Sequence, residues 1–127
     1  MRLLLDTHTA LWLTNKHERL SPKAKSIINN YENTLHFSIV SAWEIVIKTS
    51  TKKLSIDGGI IAFLGKVEEM PITTLSITSR HLEILETLPF IHRDPFDRLL
   101  IAIAKAEDMT ILTMDEDIKK YEVSSMW

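Results

Sequence analysis

The chain contains no cysteine, which removes disulfides, thiolate metal sites and a cysteine nucleophile from consideration. Glycine and proline are scarce, 3 and 4 among 127 residues, and no low-complexity tract occurs. A linker or disordered tail is therefore not expected. No apolar run approaches the length that spans a bilayer. Met1-Arg2-Leu3-Leu4-Leu5 begins like a signal peptide, but Asp6 interrupts it after three apolar residues. A cytoplasmic protein without membrane attachment is the expectation. Neither sign of charge dominates, with 15 Lys and Arg against 17 Asp and Glu and a formal net charge of −2. That balance disfavours a nucleic-acid-binding module that works through bulk electrostatics. No G-x-G-x-x-G, P-loop or G-x-S-x-G motif occurs, so nucleotide-cofactor and serine-hydrolase chemistry lack support. The histidines His8, His17, His36, His81 and His92 show no H-x-H or H-E-x-x-H spacing, although His8 stands close enough to Asp6 to line a site with it.

What is present suits one globular domain over residues 1–127, with 45% hydrophobic and 25% charged residues. Residues 2–5, 34–37, 71–75 and 110–113 read as short strands, and 122–126 as a last edge strand. Helices are expected over 7–14, from the Ser21-Pro22 cap to about 30, after Ser38, over 60–69 beyond the Asp57-Gly58-Gly59 turn, and over 78–88. Another runs from Asp94-Pro95 to about 107, and a short one over 115–120. In the helix after Ser38, Ile39, Val40, Trp43, Val46 and Ile47 recur at helical spacing and predict its inward face. Strands alternating with helices imply an α/β layer structure with a mainly parallel sheet. In such sheets ligands bind beyond the carboxyl ends of the strands, at the topological switch point.

Four acids stand where that edge would gather them. Asp6 ends the first strand, and Asp115 follows the apolar segment Ile111-Leu112-Thr113-Met114. Glu44 lies beside the apolar stripe of its helix, four residues after Val40 and three before Ile47. Asp97 is in line with Leu100, Ile101 and Ala104. Each also has an ordinary explanation. Asp6 can cap the helix after it, Glu44 can pair with Lys48 at i, i+4, and Asp97 suits the positive end of a helix dipole. Asp94 is explained by capping and counts only as an outer neighbour of the site. Asp115, Glu116 and Asp117 open one short segment, and Asp117 is a possible fifth acid. Carboxylates gathered without Lys or Arg among them repel one another unless a hard cation such as Mg²⁺ sits between them. The acids therefore predict a divalent-metal phosphodiesterase.

The segments Leu3-Leu4-Leu5-Asp6-Thr7-His8, Ser41-Ala42-Trp43-Glu44-Ile45, His92-Arg93-Asp94-Pro95-Phe96-Asp97-Arg98-Leu99-Leu100-Ile101-Ala102 and Leu112-Thr113-Met114-Asp115-Glu116-Asp117 together resemble the PIN-domain family, in particular its VapC-type toxins. The resemblance spans nearly the whole chain. It implies a three-layer α/β/α sandwich with a mainly parallel central sheet and a Mg²⁺- or Mn²⁺-dependent endoribonuclease. It also implies a homodimer and a small cognate antitoxin whose tail occupies the active-site groove. By position the family's acidic set, both metal-binding and catalytic, falls on Asp6, Glu44, Asp97 and Asp115, with Asp117 less regular and Thr113 a polar residue just before the fourth acid. A noncatalytic interaction module of the same fold, or another metal-dependent phosphohydrolase, is the alternative. A haloacid-dehalogenase-like phosphotransferase would want a second Asp where His8 stands. A receiver-type domain would want paired acids after the first strand and an Asp after a middle one, where Thr73-Thr74-Leu75 is found.

Overall fold

Leu3, Leu4 and Leu5 expose no surface. Successive side chains of a strand point to opposite faces, so a strand with no polar alternation must be covered on both sides. In the computed structural model, which describes residues 1–127, these leucines form β1 (Arg2–Leu5) at the centre of a five-stranded sheet. The others are β2 (Thr34–Ser38), β3 (Ile72–Leu75), β4 (Thr110–Leu112) and β5 (Ser125–Met126). The order is β3-β2-β1-β4-β5, and each neighbouring pair is parallel. Six helices flank the sheet: α1 (Thr7–Asn15), α2 (Pro22–Asn29), α3 (Ile39–Ser50), α4 (Gly59–Glu68), α5 (Ser79–Thr87) and α6 (Pro95–Glu107).

The alternation of β1 divides the interior into two cores. Leu3 and Leu5 join Leu35, Phe37 and Leu112 against α1, α2 and α4, through Ala10, Leu11, Ala24, Phe63 and Val67. Leu4 and Ile111 face the other way, onto the fully buried Leu100, Ile101 and Ile103 of α6 and onto Ile118. The result is a three-layer α/β/α sandwich. Burying each of these leucines stabilises the fold by about 1.5–3 kcal/mol. The helices begin where their caps stand: the Ser21 hydroxyl accepts from Ala24 N at 2.9 Å, and the Thr78 hydroxyl from His81 N. Gly58 turns the chain into α4 at φ +79°, and a Cβ there would lie 2.6 Å from that of Ala62. No helix is long and apolar enough to cross a membrane.

The structure corrects three local expectations. The short helix expected over 115–120 is a single 3-10 turn, Ile118–Lys120, and the edge strand shrinks to two residues. More consequential is α3. Its Ile39, Trp43, Val46 and Ile47, expected to point inward, are 40–53% exposed, whereas Val40, Ser41, Ala42, Glu44 and Ile45 are buried. The small residues on that side let α3 pack closely on the crevice at the carboxyl edge of the sheet, and the apolar stripe is left outside.

That crevice follows from topology. The chain leaves β1 toward β2 on one side, and β4 flanks β1 on the other. Connections diverge at this switch point, and the carboxyl ends of β1 and β4 open into the space between them.

Candidate metal centre

Asp6 leaves β1 at the switch point, anchored from both sides of the crevice. One carboxylate oxygen accepts from Thr9 N at 2.8 Å and caps α1. The other accepts from the Thr113 hydroxyl, just beyond β4. Capping and placement in the site are therefore the same geometry. Burial, against hydrogen bonds from Thr113 and Thr9 that pull the other way, pushes the Asp6 carboxyl above its ordinary range.

Glu44 is only 3% exposed. The Thr7 hydroxyl lies 2.5 Å from its Oε1 and 2.9 Å from Ser41 Oγ. Lys48 Nζ lies 2.5 Å from its Oε2, one helical turn away. The i, i+4 pair is real, and so is the burial, so neither reading of Glu44 excludes the other. The acids are thus not free of cations, as the sequence suggested. Burial works against the Lys48 charge, but Glu44 first, then Asp94 and Asp97, outweigh it and hold the ammonium above its usual range.

Asp94 and Asp97 open α6. Asp94 Oδ1 accepts from Phe96 N at 2.8 Å and Asp97 N at 3.2 Å, as its capping role requires. Asp97, one turn in, is mostly buried, and His92 Nε2 lies 3.2 Å from its Oδ2. Its carboxyl is pushed up to about 8, mainly by burial and then by Asp94, Asp115, Glu44 and Asp6. Thr113 links the remaining acids to the sheet, since its hydroxyl also accepts from Asp115 N at 3.0 Å. Asp115 Oδ1 accepts in turn from Asp117 N at 2.9 Å. Asp117 is engaged elsewhere: Lys120 Nζ at 2.9 Å holds its carboxyl below the usual range, and His92 Nδ1 lies at 3.7 Å.

Asp6, Glu44, Asp97, Asp115 and Asp117 line one cavity of about 250 Å³ together with Thr7, His8, Lys48, His92 and Asp94, and no apolar residue takes part. Asp115 is among the carboxylates that raise the Asp97 carboxyl, while Asp117 is paired with Lys120. The donor set is almost wholly oxygen and fits a hard divalent cation such as Mg²⁺ or Mn²⁺. His92, Asp94 and Asp97 each present a ligand atom within 4.8 Å of the others. The burial and the neighbouring carboxylates that push the Asp97 carboxyl up to about 8 are what a bound cation would offset.

The proton on Asp97 makes stability depend on pH. Between the ordinary value of 3.8 and about 8 the folded state binds more protons than the unfolded one, so stability falls as pH rises through that window. The melting temperature of metal-free protein in chelator should therefore drop from pH 5 to pH 9, and Asp97→Asn should flatten the slope. A wild-type melt that stays level or rises would show that Asp97 is ionised in the fold.

Sequence reasoning missed Lys48 and His92 as members of the cavity. The i, i+4 spacing from Glu44 carried a signal for Lys48. For His92 the only hint was its position just ahead of the Asp94 cap, because it arrives on a loop.

Residues 3–123 match the PIN domain family. The chain is 25% identical over 120 residues to Ribonuclease VapC22 of Mycobacterium tuberculosis, covering 94% of this chain and 91% of that protein. Its fold is similar to that in the solved structure of VapBC2 from Rickettsia felis bound to a DNA fragment from their promoter, at 16% identity and a TM-score of 0.74 over 99% of this chain and 98% of that one. The DNA-bound VapBC of Salmonella typhimurium is similar at 12% identity and a TM-score of 0.69, over 99% and 97% of the two chains.

Proposed function

Because this chain belongs to the PIN domain family, we propose that it is a divalent-metal-dependent endoribonuclease acting as the toxin of a toxin–antitoxin pair. The observation that carries this reading is the meeting of Asp6, Glu44, Asp97 and Asp115, from four separate segments, in one cavity with no apolar wall. In this proposal they are the metal-binding and catalytic acids, with Asp117 at the margin because Lys120 occupies it. Asp6, Glu44, Asp97 and Asp115 would hold Mg²⁺ or Mn²⁺, which would supply an activated water and offset charge on the attacked phosphate. The chain's own part is orientation. Thr9 and Thr113 direct the two oxygens of Asp6, and Thr7 directs Glu44. The Asp117 amide fixes Asp115, and Asp94 starts the helix that carries Asp97 inward.

The substrate class follows from the similarity to Ribonuclease VapC22. A small antitoxin partner is proposed because solved structures of similar fold are VapBC pairs. The reading is tested by incubating purified protein with RNA and Mg²⁺ or Mn²⁺ or with chelator. Cleavage is expected only with the metal. Intact RNA under every metal condition would instead favour a noncatalytic module of this fold.

The exposed stripe of α3 supports the homodimer. Ile39, Trp43, Val46 and Ile47 form a contiguous apolar row on one helix, and Trp43 packs edge-on against Phe96 at 5.0 Å. Such rows mark association surfaces more often than free solvent faces. Sedimentation should give twice the mass of the chain, and Trp43→Glu should shift it toward the monomer. A wild type that sediments as a monomer at micromolar concentration would remove the dimer from the proposal.

A further inference from the structure

Lys48 stands apart in its cavity as the one lysine or arginine on a wall of acids, threonine and histidine. Its partner Glu44 is 3% exposed, and a buried carboxylate stays ionised only with a cation or strong donors beside it. Thr7 serves one of its oxygens and Lys48 the other, each at 2.5 Å. No lysine or arginine lies within 4.0 Å of Asp6, Asp97 or Asp115. Among Asp6, Glu44, Asp97 and Asp115, Glu44 alone is paired with a tethered ammonium, while Asp117 at the margin is held by Lys120 from outside the cavity. An ordinary helical i, i+4 pair keeps both heads in water. Here the glutamate is buried and the lysine, 31% exposed, is drawn inward on a flexible four-carbon stem that can swing without disturbing α3.

We propose that Lys48 is an exchangeable counter-cation: it neutralises Glu44 in the metal-free protein, and when a divalent ion takes that carboxylate the ammonium is released to hold a phosphate oxygen of the RNA strand. This rests on the metal-dependent nuclease reading above. Two consequences run in opposite directions. The ion must displace a positive charge, so Lys48 weakens metal binding. The released ammonium faces the cavity into which a phosphate must come, so Lys48 strengthens cleavage.

The test compares wild type with Lys48→Gln and Lys48→Arg, each checked for folding by circular dichroism. Calorimetric titration with Mn²⁺ alone, in slightly alkaline buffer and without RNA, should give about fivefold tighter binding to Lys48→Gln, the upper end for a partly exposed pair. RNA cleavage at saturating Mn²⁺ should meanwhile fall about tenfold in kcat/KM, mostly through KM, with partial recovery in Lys48→Arg. A purely structural pair predicts that both properties decline together or that neither changes. Folded Lys48→Gln that binds Mn²⁺ no more tightly than wild type overturns the proposal, as does tighter binding with undiminished cleavage. If wild type itself neither binds Mn²⁺ nor cuts RNA, the nuclease reading fails and takes this inference with it.

Discussion

Asp97→Asn should abolish RNA cleavage, while Asp94→Ala, three residues earlier on the same helix start, should leave most of it. Asp97→Asn removes a carboxylate from the centre of the site, which should cost at least roughly a hundredfold. Asp94 lines the same cavity, but one of its oxygens is committed to Phe96 N and Asp97 N. Its removal should therefore appear mainly in stability, at about 0.5–2 kcal/mol for a lost N-cap. Asp97→Asn should do the opposite. It replaces a carboxyl pushed up to about 8 with a neutral amide, so the metal-free variant should melt at or above the wild-type temperature at neutral and alkaline pH. Melts in chelator and cleavage in Mg²⁺, measured on the same preparations, separate the two roles. An inactive Asp94→Ala at full stability beside an active Asp97→Asn would move the centre of the site to the first acid.

The second large effect concerns a group outside the cavity. Arg98 is 9% exposed and has no carboxylate partner. Its guanidinium donates to Pro89 O at 2.8 Å, to Tyr121 Oη at 3.1 Å and to Leu88 O at 3.4 Å, and lies 4.4 Å from the centre of the Phe90 ring. The Tyr121 hydroxyl also accepts from Ile91 N and His92 N. Arg98 and Tyr121 thus fasten the loop between α5 and α6 and deliver His92 to Asp97. Arg98→Met should lower stability by about 2–4 kcal/mol, because three hydrogen bonds from a charged group are lost and the buried Leu88 carbonyl is left unpaired, while Pro89 O keeps Ile91 N. For a chain of this length that is on the order of 10 °C in Tm. Tyr121→Phe should cost less, about 1–3 kcal/mol, because His92 N loses its acceptor while Ile91 N keeps Pro89 O. Urea unfolding checks both, and an Arg98→Met change within about 0.5 kcal/mol, the range of ordinary surface substitutions, would mean that the loop holds without the clamp.

The order of strands and helices was legible in the residues, because its causes are local. An apolar run without alternation, as in Leu3-Leu4-Leu5, has to be a strand covered on both faces, and all three leucines are fully buried. Ser21, Ser38, Thr78 and Asp94 announce helix starts through side chains that satisfy amides two or three residues away, and each does so. The acids Asp6, Glu44, Asp97 and Asp115 could be picked out because each sits at the end or on the inner face of an apolar element. The resemblance of their segments to one family supplied the rest.

Only the tertiary structure decided what those acids meet. The periodicity of α3 marks an apolar stripe but cannot say whether a core or another surface will cover it. Packing turned Ser41, Ala42, Glu44 and Ile45 inward and left Ile39, Trp43, Val46 and Ile47 outside. His92 reaches Asp97 through a loop fastened by Tyr121, a residue 29 positions away. Thr113 bonds Asp6 across 107 positions, a contact that exists only because β4 lies beside β1 in the sheet. Lys48 enters the acidic cavity because α3 packs with the Glu44 side facing the switch point. Hydrophobic pattern and capping act over a few residues and can be read along a chain. Side chains brought together by sheet order and helix rotation depend on closure of the whole fold, which no short stretch of sequence encodes.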